Sequence, residues 1–403
     1  MTRVAVTGLG PVSSIGTGAE AFAAALLAGA SGISQIRSFD SSGFPHRNAG
    51  EVRDFDPARW LRRLDPQRWG RSSQFAAAAA RLAADDAGLD PSFSGLDRSR
   101  MHAVLGTTSG ESVVAEALTA QILADGFPGM VPELIEQLPA GRLAHAVSEE
   151  LGLHGESLTL ATACSASNYA IGYAYDLLVT GEADVVLAGG ADSVCRWAHA
   201  GFYKLGALTE TACAPFDRDR SGILTGEGGA LLVMETFEHA ERRGARIYAE
   251  VLGYGINCDA KHPVAPDRES ISQCMRIAHR HAEVKPEEVD YICAHGTGTP
   301  ANDLTEARAV MEVFGENPPP MSSIKSMIGH TMGAASGFGA IASAIAIDRG
   351  FLPPTINWQT PDPELSGVDP IPNVARHADV RVVQNNGFAF GGNNAIVMLG
   401  AVR

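Results

Sequence analysis

A single cysteine stands in the stretch Thr162-Ala163-Cys164-Ser165-Ala166-Ser167-Asn168, between an apolar run (Leu158 to Ala161) and a helical pattern from Tyr169 to Val179. At such a strand-to-helix junction the first helical N–H groups and the helix dipole favour a thiolate, which lowers the thiol pKa and creates a nucleophile. The same residue also fits a buried small side chain, the common fate of a free cysteine. Three stretches in the C-terminal half add chemistry. His295-Gly296-Thr297-Gly298-Thr299-Pro300 follows the apolar strand Tyr291 to Ala294. A histidine at a strand's C-terminal end lies where parallel α/β proteins place their sites. Lys325-Ser326-Met327-Ile328-Gly329-His330 brings a second histidine with a lysine nearby. Gly387-Phe388-Ala389-Phe390-Gly391-Gly392-Asn393-Asn394 is a flexible turn whose backbone N–H groups could face a ligand. Taken singly, each also fits a structural role: a satisfied core histidine, a surface lysine, a glycine hairpin. The remaining histidines, His262, His279 and His281 among them, lack consistent ligand spacing, so no metal is expected.

Strands that end at these residues, and helices that begin there, must position them. Arg3 to Leu9 reads as a short apolar strand turned by Gly8, Gly10 and Pro11. The two glycines start like a dinucleotide-binding loop. Ser13 occupies the place of the third glycine, and no clear acidic residue closes a following strand, which sets that reading aside. Ala19 to Ala28, Ser73 to Asp86 and part of Pro132 to Glu150 read as helix, with a loop from Phe39 to Trp60. His102 to Gly106, Ala183 to Gly189 and Gly229 to Glu235 read as strands, and Phe237 to Arg243 as helix. Asp217 to Gly222 starts like a calcium loop, but Gly228 stands where the bidentate glutamate belongs, so calcium is rejected. From Arg246 the pattern restarts: strand, helix (Ile271 to His281), strand, helix (Asn302 to Phe314). A loop (Lys325 to Gly333), a helix (Ala334 to Arg349) and a strand pair (Asn386 to Gly400) close it. The echo predicts two similar α/β halves, residues 1–245 and 246–403.

A length of 403 residues also favours two domains or a duplicated fold, and 45% hydrophobic residues can fill a large core. The formal charge of −15 disfavours nucleic acid and anionic membranes, so an acidic partner needs a local basic patch. The one conspicuous cationic cluster is Arg59-Trp60-Leu61-Arg62-Arg63 with Arg68 and Arg71, either a solvated face or a docking patch. Six scattered cysteines without a C-x-x-C pair are the usage of a reducing cytosol. No signal peptide is expected, because Val4 to Val6 already reads as strand, and Ile341 to Ile347 is too short to span a bilayer.

Together the motifs resemble the β-ketoacyl-acyl-carrier-protein synthases of the thiolase superfamily, specifically the elongating type II branch that includes type II polyketide ketosynthases. The match runs from Val4 to Met398, with Gly226-Glu227-Gly228 and Asn302-Asp303 as further points of agreement. The resemblance implies an α/β, thiolase-like five-layered αβαβα fold built from two similar halves. The first half would carry the nucleophilic cysteine, and the second both histidines and a gating loop. It implies a cytoplasmic acyltransferase that works on chains carried by the phosphopantetheine of an acyl carrier protein, with no other cofactor. The enzyme would be a homodimer, or a heterodimer with a chain-length-factor-like subunit. Cys164 would be acylated, and His295 and His330 would stabilise the enolate formed when malonyl carrier protein loses carbon dioxide. Backbone N–H groups of Cys164 and Phe390 would form the acyl oxyanion hole, with Lys325 as a supporting charge. Thr297 and Thr299 would hold the pantetheine arm, and Phe202, Ser109 and Phe388 would bind substrate. Arg62, Arg63, Arg68 and Lys204 fall where the family docks its acidic carrier.

The chain departs from that pattern in three places. Gly339 stands where the family usually has a glutamate near the lysine, with Glu306 as a candidate replacement. Ala389 replaces the glycine between the two gate phenylalanines, and small Ser109 stands where fatty-acid enzymes carry a bulkier aliphatic. These differences favour specialised metabolism over a housekeeping role. They also keep open transfer or cyclisation of a Cys164-bound chain without decarboxylation. A non-catalytic chain-length subunit would lack the cysteine, and a coenzyme A thiolase would carry a second one in the Phe388–Gly392 loop.

Overall fold

The computed structural model describes residues 2–90, 93 and 95–402. Ten strands lie on one hydrogen-bonded path. They are β1 (Val4–Ser13), β2 (Met101–Gly106), β3 (Ser157–Leu160), β4 (Val185–Asp192), β5 (Gly228–Thr236), β6 (Ala249–Cys258), β7 (Tyr291–Cys293), β8 (Met321–Ser322), β9 (Val382–Phe388) and β10 (Asn393–Gly400). Their spatial order is β8-β7-β9-β10-β6-β1-β5-β4-β2-β3. Outward from the β1/β6 seam, each half runs first, last, fourth, second, third strand. The major helices follow suit: α1 (Arg71–Asp86), α2 (Ser112–Asp125), α3 (Arg142–Leu151), α4 (Ala166–Val179), α5 (Arg196–Lys204), α6 (Arg268–Ala282), α7 (Pro300–Phe314) and α8 (Ala335–Arg349). Helices α1, α3 and α4 occupy the same places in the first half as α6, α7 and α8 in the second.

Alternation along the strands produces the layers, because successive side chains point to opposite faces. Val104, Val186, Ala188, Leu232 and Met234 face inward and meet Val397 and Leu399 around α4 and α8. Their neighbours Ala103, Leu105, Val185, Leu187, Leu231 and Val233 face the alanine-rich α1 and α3. In the second half Ile292, Ile396 and Met398 face α6 and α7. Two helices, a half-sheet, the central pair α4/α8, a half-sheet and two helices make five layers, as the resemblance implied. Burial of each Val, Leu or Ile contributes about 1.5–3 kcal/mol, so this alternation is the main reason the register holds.

The first strand differs from its sequence reading: β1 continues through Gly8, Gly10 and Pro11 to Ser13 instead of turning there. The glycines serve close packing, because a Cβ on Gly10 would lie 1.9 Å from the Ala79 carbonyl oxygen and one on Gly8 2.1 Å from that of Ala83. Helix α1 therefore rests directly on the strand, running antiparallel to it. The calcium-like segment is a clasp between the halves. The Asp217 carboxylate accepts the N–H groups of Asp219, Gln359 and Thr360, while Arg220 Nη1 donates to Asp362 at 2.5 Å.

The duplication extends to the turns before the central helices. Thr162 (φ −107, ψ 34) and Ala163 (φ 52) precede Cys164. Thr331 (φ −86, ψ 28) and Met332 (φ 54) precede Gly333 in the second half. Both turns close with a short 3₁₀ segment leading into the helix, α4 or α8. Positive φ at a non-glycine residue is strained and persists only where surrounding structure imposes it. Among the described residues, no helix is long and apolar enough to cross a membrane.

Candidate active site

Cys164 sits at the sharp turn between β3 and α4, only 5% exposed. The turn lies directly against β2, since a Cβ on Gly106 would be 2.3 Å from the Ala166 carbonyl carbon. Burial pushes the Cys164 thiol up to about 11, against the pull of the Lys325 charge and the N–H groups of Phe390 and of Cys164 itself. The expected depression of this pKa is thus overturned. Removing a thiolate from water outweighs what the helix start and two N–H donors return. The resting group is a thiol, with two N–H groups converging where negative charge can be held.

His330 is fixed through its backbone, its N–H donating to Leu224 O at 2.7 Å and its carbonyl accepting from Gly226 N at 2.8 Å. The ring Nδ1 accepts from Met332 N–H at 3.1 Å, which places the proton on Nε2 and makes that atom a donor. His295 follows β7. Its N–H and that of Gly296 donate to the two Glu306 oxygens, each at 2.8 Å, and its carbonyl accepts from Lys325 Nζ at 2.5 Å. Among the described residues, neither ring nitrogen of His295 has a protein hydrogen-bond partner, leaving one donor and one acceptor free. The two rings are 5.7 Å apart and nearly perpendicular at 81°. Burial first, and the Lys325 charge second, hold both imidazoles well below the ordinary histidine range. Both are neutral donors near pH 7.

Lys325 itself is buried behind His295, its pKa lowered by burial against the Glu306 charge. Glu306 acts on it across the His295 backbone, since their charged atoms do not form an ion pair. The place of the absent glutamate is filled: a Cβ on Gly339 would lie 2.3 Å from Asn385 Oδ1. Asn385 Nδ2 in turn donates to Asn168 Oδ1 (2.8 Å) and Ser336 O (2.9 Å), tying α4 to α8. Asp303, one turn before Glu306 on α7, accepts from Thr297 N and Gly298 N. Two carboxylates of one helix face thus satisfy the N–H groups of the whole 295–298 loop.

A cavity of ≈ 270 Å³ is lined by Cys164, His295, His330, Thr297, Thr299, Phe202, Phe388 and Phe390. Phe202, on α5, lies between Phe390 (5.8 Å) and His330 (6.4 Å). Ala389 has ordinary negative φ, while Gly391 (φ 84) and Gly392 (φ 79) carry the left-handed turn, so alanine fits this loop without strain. Ser109 does not line this cavity; its N–H donates to the buried Asp192 at 3.1 Å. Asp192, which the sequence reading missed, ends the apolar strand β4, and a carboxylate at such an end was the available signal.

The predicted basic patch divides. The backbone N–H groups of Arg62 and Arg63 bind the Glu150 carboxylate, and the Arg62 guanidinium pairs with Asp85 at 3.0 Å. Glu150 and Asp85 lie in the last turns of α3 and α1, at the end of the sheet where the parallel strands begin. Cys164 lies at the opposite end. Neighbouring letters in an irregular loop share no face, so Arg62 and Arg63 leave the site's surroundings. Arg68 is exposed near Glu136 (3.7 Å), and Lys204 ends α5 beside the cavity-lining Leu205. Among the described residues, no group of three or more His, Cys, Asp or Glu could hold a metal ion.

A duplicated five-layered fold, with a cysteine on a tight turn facing two neutral imidazoles, defines an acyl-transfer enzyme of the thiolase-like class. Models of the β-ketoacyl synthase N-terminal and C-terminal domains match residues 1–240 and 248–359, and the chain belongs to the β-ketoacyl synthase family. It is 38% identical to 3-oxoacyl-[acyl-carrier-protein] synthase 2 of Coxiella burnetii over 99% of both chains. Among solved structures, the ishigamide ketosynthase/chain length factor matches at 50% identity and TM-score 0.97, covering 100% of each chain. A type II PKS ketosynthase in complex with its acyl-carrier protein matches at 30% identity and TM-score 0.91, again over 100% of each.

A thiol held near 11 makes alkylation informative. Iodoacetamide labelling of the free enzyme, mapped by peptide mass, is expected to modify Cys164 at a rate still rising between pH 8 and 10. A plateau below pH 8 would mean that the N–H groups outweigh burial.

Proposed function

We propose that this chain condenses a Cys164-bound acyl group with a malonyl group carried by an acyl carrier protein, in the biosynthesis of a fatty-acid-like or polyketide product. The supporting observation is the convergence on one cavity of the Cys164 thiol, two backbone N–H donors and two neutral imidazoles. The halves divide at 245/246, the first supplying the nucleophile and the second both histidines. In the first stage the Cys164 sulfur attacks the acyl thioester carbonyl, whose oxygen takes up negative charge between the N–H groups of Cys164 and Phe390. Collapse expels the pantetheine sulfur, which leaves with the proton that Cys164 gave up. In the second stage the malonyl C–C bond breaks, carbon dioxide departs, and its electron pair forms an enolate facing His295 and His330. The enolate carbon then attacks the Cys164 thioester carbonyl, a C–C bond forms, and the Cys164 sulfur leaves and takes a proton from solvent. Lys325 has two tasks: it holds the His295 carbonyl, and its charge adds to burial in keeping both imidazoles unprotonated. Thr297 and Thr299, whose hydroxyls lie 2.9 Å apart on the cavity wall, offer hydrogen bonds to the pantetheine arm. Phe388 and Phe202 supply its apolar walls. Substrates arrive on phosphopantetheine, and no bound cofactor takes part.

The half-reactions can be separated. Losing one charge-stabilising donor typically lowers a rate by about 10²–10³. His295→Ala or His330→Ala should therefore cut carbon dioxide release from malonyl carrier protein by that order, while intact-protein mass still shows an acyl group on Cys164. Wild-type enzyme that acylates but never releases carbon dioxide would replace condensation with transfer or cyclisation.

Carrier docking belongs to the cavity's end of the molecule, with Lys204 and Arg68 as its cations. Lys204→Glu should slow acyl transfer from carrier protein in low salt, where an exposed charge acts through a weakly screened field, yet spare transfer from a pantetheine thioester. Arg62→Glu with Arg63→Glu should leave both rates unchanged. Slowing by the second pair alone would restore the patch at the far end.

The active form is a dimer with a second ketosynthase-fold chain, either another copy or a chain-length-factor-like subunit. Strand β3 is a half-exposed edge immediately before the nucleophile. Leu123 (82% exposed), Phe127 (76%) and Trp197 (66%) also leave apolar surface in water. Unpaired edges and such patches are what a partner covers. Sedimentation should give the mass of two chains, alone or after co-expression with a candidate partner; a monomer that is fully active would remove the requirement.

A further inference from the structure

Asp192 is fully buried at the end of β4 and accepts four hydrogen bonds from two places far apart in sequence. Its Oδ1 accepts from Thr107 Oγ1 (2.7 Å) and Ser109 N (3.1 Å) in the loop after β2. Its Oδ2 accepts from Thr108 N (2.7 Å) in that loop and from Gly333 N (2.7 Å) in the second half. Gly333 occupies the place that Cys164 holds in the first half. Its neighbour Met332 donates the N–H that fixes the His330 ring, and its own carbonyl accepts from Ser167 Oγ of the nucleophile helix at 2.5 Å. A Cβ on Gly333 would lie 2.5 Å from the Thr107 carbonyl carbon, so the two loops touch. We propose that Asp192 is a positioning residue that clamps the Gly333 turn against the first half and thereby sets where the His330 donor stands relative to Cys164.

The clamp also places a charge. Burial pushes the Asp192 carboxyl up to about 6, so above that pH it is an anion, and this anion opposes ionisation of Cys164. The other titratable groups that feel it are Glu111 and Cys195. Removing the charge should therefore make Cys164 ionise more easily, the opposite of general damage to the site.

Two substitutions separate charge from clamp, and both rest on the condensation reading above. In Asp192→Asn the amide oxygen can keep Thr108 N and Gly333 N while its NH₂ donates to Thr107 Oγ1 and gives up Ser109 N, so the hold on Gly333 survives without the charge. Alkylation of Cys164 should shift to lower pH, with the ratio of carbon dioxide release to acylation close to wild type. Asp192→Ala frees the Gly333 turn, and misplacement by about 1 Å can lower a rate by about 10². The ratio of carbon dioxide release to acylation should then fall by about that factor. Should Asp192→Ala fail to fold, Ser167→Ala removes the other hold on Gly333 and should lower the same ratio. An unchanged alkylation profile in the Asn variant, or equal loss of both half-reactions in the folded Ala (or Ser167→Ala) variant, overturns the proposal. Wild-type enzyme assayed in parallel separates this outcome from failure of the condensation reading, which would show as no carbon dioxide release by wild type itself.

Discussion

Desolvation is the constraint on which this site depends. Cys164, Lys325, both histidines, Asp192, Asp303 and Glu306 all lie where water is excluded, and burial disfavours the charged form of each. Acids are pushed up, and the lysine and histidines down. Such groups persist in a core only when each finds several partners. Glu306 takes two backbone N–H groups and the Asn386 amide, Asp303 takes those of Thr297, Gly298 and Phe216, and Asp192 takes four donors. These bonds fix loops that have little apolar surface of their own. Rigidity of the site is thus a consequence of satisfying its charges.

The duplicated architecture supplies the partners. Each half brings a strained turn before a central helix, and the two turns meet at the middle of the molecule. One carries a cysteine. The other carries Gly333, whose missing side chain lets the turn lie against Thr107. Its N–H groups serve Asp192 and, through Met332, His330. One backbone design therefore does two jobs, presenting a cysteine thiol in the first half and orienting an imidazole in the second.

Layers and motifs were legible because hydrophobic period and glycine-bounded apolar runs reflect local geometry. Cys164, His295, His330, Thr297, Thr299, Phe388 and Phe390 line one cavity; a position at a strand's end marked only Cys164 and His295, and the family resemblance supplied the rest. Quantities set by three-dimensional neighbours were not legible. The pKa of Cys164 depends on burial contributed by both halves. Gly8 and Gly10 answered to a helix some seventy residues later. Arg62 and Arg63 were grouped with Arg68 by sequence proximity, although Glu150 and Asp85 draw them to the far end of the sheet. The space at Gly339 is closed by Asn385, a residue with no motif to mark it.

A resting site with a neutral thiol and neutral imidazoles has a chemical consequence. In the proposed condensation negative charge arises only during reaction, at two places: the acyl oxygen near the N–H groups of Cys164 and Phe390, and the enolate oxygen near His295 and His330. Donors fixed in advance stabilise such transient charge without reorganising, and they do so most strongly where water is absent. A protonated imidazole would bind the malonyl carboxylate itself and so stabilise the ground state, which gains nothing in rate. Burial, reinforced by the Lys325 charge, keeps both rings neutral and turns them from carboxylate binders into enolate binders. Burial thus decides which charge the site prefers, and the buried lysine reinforces it without lining the cavity.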